Sequence, residues 1–237
     1  MKKRFDKNLF IIMFSLMVGF VIITFFIADV VHQTQIQQLN SEHTSEIETI
    51  EENNIYFTTS FLESSVLLDS AREDRAFGNY HFDLAHLFYT TALSQKNETI
   101  MQENKDNCIS NCTFALPKYQ FASMNFQLAS SFFEATKNYT KYDSYMNLLT
   151  LYVNLSNSGY KLTILRYNAT QYLRILAESM EYHDTGVIQT IDNLTEIMDL
   201  FTQSMGDYEE ALQEYEDILD EIDEYDIEGF SPIRVLS

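Results

Sequence analysis

The chain opens with an unbroken run of apolar residues. Residues 9–27 read LFIIMFSLMVGFVIITFFI and include no charged side chain. About twenty apolar residues, at about 1.5 Å of helix rise each, span the hydrocarbon core of a bilayer. The pattern therefore predicts a transmembrane helix over residues 9–31. The alternative is a cleaved signal peptide, whose apolar part is normally shorter and is followed by small residues at the cleavage site.

Basic residues lie on only one side of this run. Four of them precede it, namely Lys2, Lys3, Arg4 and Lys7. The next Lys or Arg along the chain is Arg72. Because loops rich in Lys and Arg stay in the cytoplasm, we expect residues 1–8 to be a short cytoplasmic basic tail. Everything after the apolar run is then expected to lie outside the membrane.

Beyond the run, apolar residues recur every three or four positions from Ile36 to Leu68 without a helix breaker. This period is typical of one face of an α-helix. Residues 32–54 are polar at the other positions, and we interpret them as a helical stalk. A coiled-coil prediction would need three or four clean heptads, which is more than this segment offers.

Residues 55–229 repeat the helical period, and turn-forming residues divide them into shorter helices. The predicted helices cover residues 75–94, 117–137, 142–155, 162–180, 187–205 and 208–229. The polar residues 95–116 form the longest predicted loop, and Pro117 is placed in the first turn of the next helix. Gly159 and Gly206 mark predicted helix ends, and residues 183–186 a short turn. No stretch alternates with period two, so no β-sheet is predicted.

Short connections between helices of about twenty residues place successive helices antiparallel, either in a bundle or in stacked helical hairpins. Ala85, Tyr89 and Ala92 resemble the small-large-small second helix of a tetratricopeptide unit, although the full consensus and the period of about 34 residues are missing. With 6 Gly and 2 Pro, the chain cannot form the many turns of a β-sandwich. The predicted fold is all-α: a membrane helix, a bundle or tetratricopeptide-like extracytoplasmic domain, and a tail over residues 230–237.

The chain is strongly acidic, with 35 Asp and Glu against 15 Lys and Arg and a formal net charge of -20. Such a charge repels phosphate backbones, so we expect no nucleic-acid partner. The last predicted helix carries only acidic charges, and its apolar stripe indicates an ordinary amphipathic helix with a solvated carboxylate face. The functional alternative for this face is weak binding of a divalent cation or docking of a basic protein.

The two cysteines, Cys108 and Cys112, lie in the segment predicted as a polar loop. Outside the cell membrane such a pair is expected to close a small disulfide loop. Two free thiols are the alternative. A metal site would need two more ligands, and the 5 His residues are scattered without ligand spacing. No metal and no cofactor is therefore predicted.

Sequons of the form Asn-x-Ser/Thr are frequent after the apolar run. They begin at Asn97, Asn111, Asn138, Asn154, Asn168 and Asn193. An Asn-rich chain of this length would contain roughly two or three by chance. The excess favours an N-glycosylated extracytoplasmic domain, and the alternative is that the sequons are accidental.

Catalytic motifs are missing from the sequence: it contains no HExxH, no Gly-rich phosphate loop and no GxSxG elbow. The chain is therefore not predicted to be an enzyme and has no candidate catalytic residue. With only residues 1–8 in the cytoplasm, any signal would have to pass through a partner in the membrane. We interpret the chain as a structural or protein-interaction subunit of a membrane or envelope complex, with the lipid bilayer and another protein as partners. The alternative is a ligand-sensing ectodomain, which would resemble the helical-bundle input modules of chemoreceptors.

Overall fold

A computed structural model describes the backbone of residues 7–184 and 186–225, and side chains from residue 29 onward. The prediction of an all-α fold is confirmed for the described residues, whereas the prediction that no β-sheet forms is wrong because of one short antiparallel hairpin. The elements in chain order are α1 (Lys7–Leu93), α2 (Glu98–Thr136), a 3-10 turn (Lys137–Tyr139), α3 (Asp143–Glu178), strands β1 (Met180–His183) and β2 (Gly186–Gln189), and α4 (Leu194–Glu224). The chain divides into two compact units, Met1–Asn53 and Asn54–Ser237.

In the first unit, the described side chains belong to a single helix. Every side chain from 29 to 52 is exposed. Among the residues whose side chains the structure describes, from residue 29 onward, no helix is long and apolar enough to cross a membrane. The side chains of the predicted membrane helix, except those of its last three residues, lie outside that part of the chain, and so do the side chains of the basic tail.

The second unit is an antiparallel four-helix bundle. Residues 54–93 of α1 supply its first helix, and α2, α3 and α4 follow, each running opposite to the one before. The last helix returns beside the first, where Asn79 Nδ2 on α1 donates a hydrogen bond to Tyr208 OH on α4 at 3.3 Å. This contact closes a ring of four helices. The bundle prediction is therefore confirmed, and the stacked-hairpin alternative is wrong.

The bundle core is built from aromatic and small side chains in alternation. On α2 a row of fully buried residues follows the helical period: Cys108, Cys112, Ala115, Tyr119, Ala122, Phe126, Ala129 and Phe133. Alanines let the helix backbones approach, and the rings fill the space between them. One core cluster surrounds Phe126 and Tyr152, and a second surrounds Phe82 and Tyr119.

Two predicted interruptions of α2 are wrong. The segment predicted as a loop, residues 95–116, is helical from Glu98 onward, because its polar side chains share the exposed face and its cysteines and Met101 point inward. Pro117 lies in the middle of α2 rather than in a first turn. A proline there removes a backbone hydrogen bond and costs about 3 kcal/mol. The buried row on either side offsets that cost.

The break predicted at residues 156–159 is also wrong, because α3 continues through it. Ser156 Oγ donates to the carbonyl of Tyr152 at 2.8 Å, so this buried hydroxyl is satisfied within the helix. Gly159 does not cap a helix. It lies where α3 packs against the ring of Phe126, and a Cβ at this position would lie 2.7 Å from Phe126 Cζ.

The turn predicted at residues 183–186 is confirmed, but the residues beside it form a β-hairpin instead of helix ends. Strands β1 and β2 pair antiparallel, with His183 opposite Gly186. Gly186 has a φ of 127°, which favours glycine. Gln189 anchors the hairpin, because its Nε2 donates to Tyr89 OH at 3.1 Å and to the carbonyl of Leu176 at 2.9 Å.

The predicted stop at Gly206 is wrong, since α4 runs from Leu194 to Glu224 without a break. Gly206 lies on the exposed side of the helix, and a Cβ there would meet no atom within 4 Å. A single glycine lowers helix propensity by about 1 kcal/mol, which is not enough to end a helix whose other face is buried.

Candidate functional site

The outer face of α1 and α2 carries a row of large apolar side chains in contact with solvent. Eight residues, here called the α1–α2 strip, are between 41 and 68 % exposed. They are Leu62, Val66, Phe77 and Tyr80 on α1, and Phe114, Phe121, Leu128 and Phe132 on α2. Single exposed apolar residues are ordinary, whereas apolar residues grouped on one face mark an interaction site. On α1 the exposed Asp69 and Glu73 divide the strip into two pairs of apolar residues.

Contacts across the α1/α2 groove fix the two halves of the strip side by side. The His81 ring lies between two strip residues, with its centroid 4.7 Å from that of Phe77 and 5.4 Å from that of Phe114. His81 Nδ1 is 2.8 Å from Asn111 Oδ1, which ties the imidazole to α2. Lower in the groove, Asn125 Nδ2 donates to Ser70 Oγ at 3.2 Å.

Lys118 is the only basic residue on α2 between Phe114 and Phe132, the first and last strip residues on that helix. Its Nζ lies 2.8 Å from Asp74 Oδ1 on α1 and 5.1 Å from the centroid of the Phe77 ring. It is also the only charged residue between Asp106 and Glu134. The outer face of α2 is therefore nearly uncharged, in a chain whose net charge is -20.

The charge is concentrated on the opposite helix of the bundle. Helix α4 carries twelve Asp and Glu and no Lys or Arg. Both α2 and α4 contact α1 and α3, so they occupy diagonal corners of the ring. Part of the α4 acidic face lines an open groove of about 780 Å³ against α3, where Lys161 Nζ lies 3.0 Å from Glu214 Oε2. No group of three metal-ligating side chains occurs among the residues that the structure describes.

A buried polar layer crosses the middle of the bundle. Tyr119 OH donates to Asn79 Oδ1 at 2.9 Å, and Asn79 in turn donates to Tyr208. The Arg166 guanidinium lies over the Tyr208 ring, 3.9 Å from its centroid, and over the Phe82 ring at 4.5 Å. Burial raises the pKa of Tyr119 well above its usual range, which keeps the phenol protonated and able to donate.

A second arginine lies near this layer, and no carboxylate in the described part of the chain forms an ion pair with it. The Arg75 guanidinium carbon is 4.4 Å from the Tyr215 ring centroid and 5.7 Å from that of Phe126. One nitrogen on each of Arg75 and Arg166 is buried and has no hydrogen-bond partner among the residues that the structure describes. Ring faces are the partners that stabilise these half-buried cations.

Comparison with known proteins gives no family. No protein-family model matches the chain, and neither a curated protein nor a solved structure is significantly similar to it.

The structure places Cys108 and Cys112 one turn apart on the buried face of α2, with both side chains fully buried. Both are free thiols in this structure, and the segment that was predicted as a polar loop is helical. A regular helix keeps Cβ atoms four residues apart at about 5–6 Å, which is wider than a disulfide spans. A hydrogen bond with Cys108 and burial raise the pKa of Cys112 far above its usual range.

The six sequons differ in accessibility. Four are exposed: Asn97, Asn138, Asn154 and Asn193. Asn111 and Asn168 are half-buried, and the Asn111 amide is held by His81 and by the carbonyl of Asn107. Two of the exposed sequon asparagines immediately precede a helix: Asn97 precedes α2, and Asn193 precedes α4.

Sequence reasoning did not identify the α1–α2 strip. The predicted loop over residues 95–116 separates Phe114 from the predicted helix that contains Phe121, Leu128 and Phe132, so the sequence pattern does not bring these residues into one row. A signal was present, because Phe114, Phe121 and Leu128 recur every seven residues beside the buried row.

Proposed function

We propose that the chain is a single-pass membrane protein whose extracytoplasmic helical domain is a protein-interaction subunit, and that the α1–α2 strip is its docking face. The apolar run at residues 9–27 and the four basic residues before it support the anchor and its orientation. The sequons support exposure of the domain to a glycosylating compartment. The single observation that supports the interaction role is the strip itself.

The strip favours a docking role because burying it would be strongly favourable. Each apolar Å² removed from water contributes about 25 cal/mol, and large aromatic side chains dominate interface energies. Folding of the chain leaves these eight side chains in water although the bundle core is fully packed. A protein partner that covers the row supplies that burial.

Site-specific labelling tests the docking role. A Phe121→Cys variant of the full chain is treated with a membrane-permeant maleimide in native membranes, and the label is measured by mass. Met198→Cys is the matched control, because Met198 is 46 % exposed against 53 % for Phe121 and lies on α4, away from the strip. We expect the cysteine at 121 to react at least tenfold more slowly than the control. Equal rates at the two positions would contradict the docking role.

Ligand sensing by the bundle is the second candidate function, and the buried polar layer is the observation that favours it. Arg75 and Arg166 offer half-buried cationic groups over aromatic rings of the bundle, and no carboxylate of the described residues forms an ion pair with either. Small anions are the ligand class that such groups recognise. Raising acetate or sulfate concentration should then increase the melting temperature of the full chain, and this increase should disappear in Arg166→Met. No anion-specific shift relative to chloride would remove this candidate.

A further inference from the structure

We infer that the occupant of the α1–α2 strip is a second copy of this chain, in a symmetric dimer whose two-fold axis runs parallel to the bundle helices. The inference rests on the proposed docking role and names the partner that fills the site. Three properties of the strip support it: its area, its charge, and the way it complements itself.

The area fits one side of a stable protein interface. The five Phe and Tyr residues of the strip offer about 150–250 Å² each, so at roughly half exposure they present on the order of 500 Å², and Leu62, Val66 and Leu128 bring the strip toward about 800 Å². That is about the share that each partner contributes to an interface of standard size. A weak or transient contact would need less apolar surface than this.

The charge distribution makes α2 the side by which two copies can approach. At a net charge of -20 each, two chains repel one another over most of their surface. Helix α4, with its twelve carboxylates, lies diagonally opposite α2. Docking through the strip keeps the two α4 helices as far apart as the bundle permits. A strongly basic partner would instead be drawn to α4, and it would find no acidic residue on α2 between Asp106 and Glu134.

The two halves of the strip complement each other under two-fold symmetry. An axis parallel to the helices sets α1 of one copy against α2 of the other and keeps every residue at its own height along the bundle. The acids Asp69 and Glu73 lie one helical turn apart on α1, and Asp74, next to Glu73, is at the height of Lys118. In the dimer, Glu73 of one copy therefore lies at the height of Lys118 on the second copy. The facing part of α2 contains no acidic residue. This arrangement also leaves both α1 helices with their amino ends at the same end, as anchoring in one membrane requires.

The mass of the purified full chain in detergent tests the inference. We expect twice the chain mass by light scattering, after subtraction of detergent, at micromolar concentration. Phe121→Gln combined with Phe132→Gln should weaken dimerisation by at least about a hundredfold, because exposed aromatic anchors dominate interfaces. Both residues are more than 40 % exposed, so the variant should retain the helical circular dichroism of the wild type. Met198→Gln combined with Leu200→Gln on α4 is the control and should stay dimeric.

A wild-type chain that is monomeric throughout, or a strip variant that remains as dimeric as the control, would overturn the inference. The labelling experiment separates this failure from that of the proposed function. If the cysteine at position 121 is protected in native membranes but reacts freely in a monomeric purified chain, another protein or the membrane surface covers the strip, and the second copy is excluded. If it reacts freely in both preparations, the docking role fails as well.

Discussion

Gly78 and Gly159 are positions where two helices approach too closely for a side chain. A Cβ at Gly78 would lie 2.6 Å from Tyr119 Cε1, and one at Gly159 would meet the Phe126 ring. In each case the contact is with a fully buried aromatic ring that has no room to move. Glycine at these positions therefore serves interhelical packing, which outweighs its low helix propensity.

Gly159→Ala should accordingly lower the free energy of unfolding by about 1–3 kcal/mol, because the overpacking cost exceeds the gain of about 1 kcal/mol in helix propensity. Gly206→Ala is the matched control, since its Cβ would enter open space. The control should stabilise α4 by about 0.5–1 kcal/mol. Denaturant unfolding of the full chain measures both. Stabilisation of similar size in the two variants would contradict the close approach of α3 to Phe126.

Because of Tyr119, the stability of the bundle should fall at alkaline pH. Its pKa is raised in the folded state by burial, so the folded chain keeps a proton that the unfolded chain releases near pH 10. The stabilising contribution is therefore fully present below about pH 10 and is lost as the pH rises further, by about 1.4 kcal/mol per pH unit.

Tyr119→Phe should be less stable than the wild type by about 1–2 kcal/mol at pH 7, because Asn79 Oδ1 loses its donor. The difference between the two chains should narrow between pH 10 and 11.5, since the variant lacks the titrating phenol. Urea unfolding at four pH values measures the difference. A constant gap across this range would contradict burial of the Tyr119 hydroxyl.

At the scale of elements, α2 depends on a continuous buried row that includes both cysteines. We expect neither thiol to react with iodoacetamide in the native full chain without reductant, because both are fully buried and the raised pKa of Cys112 leaves little thiolate. Unfolding in guanidinium, still without reductant, should then add two labels, as measured by intact mass. No label until a reductant is added would show the disulfide and contradict the free thiols of α2.

The helical character of the chain was predictable from its apolar period, whereas the lengths of its helices were not. Pro117, Gly159 and Gly206 are strong local signals for an end, and each is overridden by packing on the opposite face of its helix. Local propensities of about 1–3 kcal/mol cannot predict this outcome, because the burial that opposes them depends on which helices become neighbours. The hairpin at β1 and β2 was missed for the same reason, since Gln189 is fixed by contacts with Tyr89 and Leu176.

At the scale of the whole molecule, the sequence predicts the charge but not its distribution over the surface. An acidic final helix was visible in the sequence, and the diagonal position of α2 relative to it became apparent only from the closed ring of four helices. The α1–α2 strip depends on both halves, because four residues on one helix would be unremarkable. The contacts of His81 and Lys118 across the groove bring the two halves side by side.

The anchor and orientation decide whether the domain can meet extracytoplasmic partners, and they are the central claim of the proposed function. Protease treatment of sealed native membranes, followed by intact mass of the surviving fragments, tests them most directly. We expect external protease to remove residues 55–225, leaving a membrane-bound fragment with the apolar run, and the released peptides to carry added mass at exposed sequons such as Asn138. Full protection of the domain until the membrane is lysed, with unmodified sequons, would contradict the account.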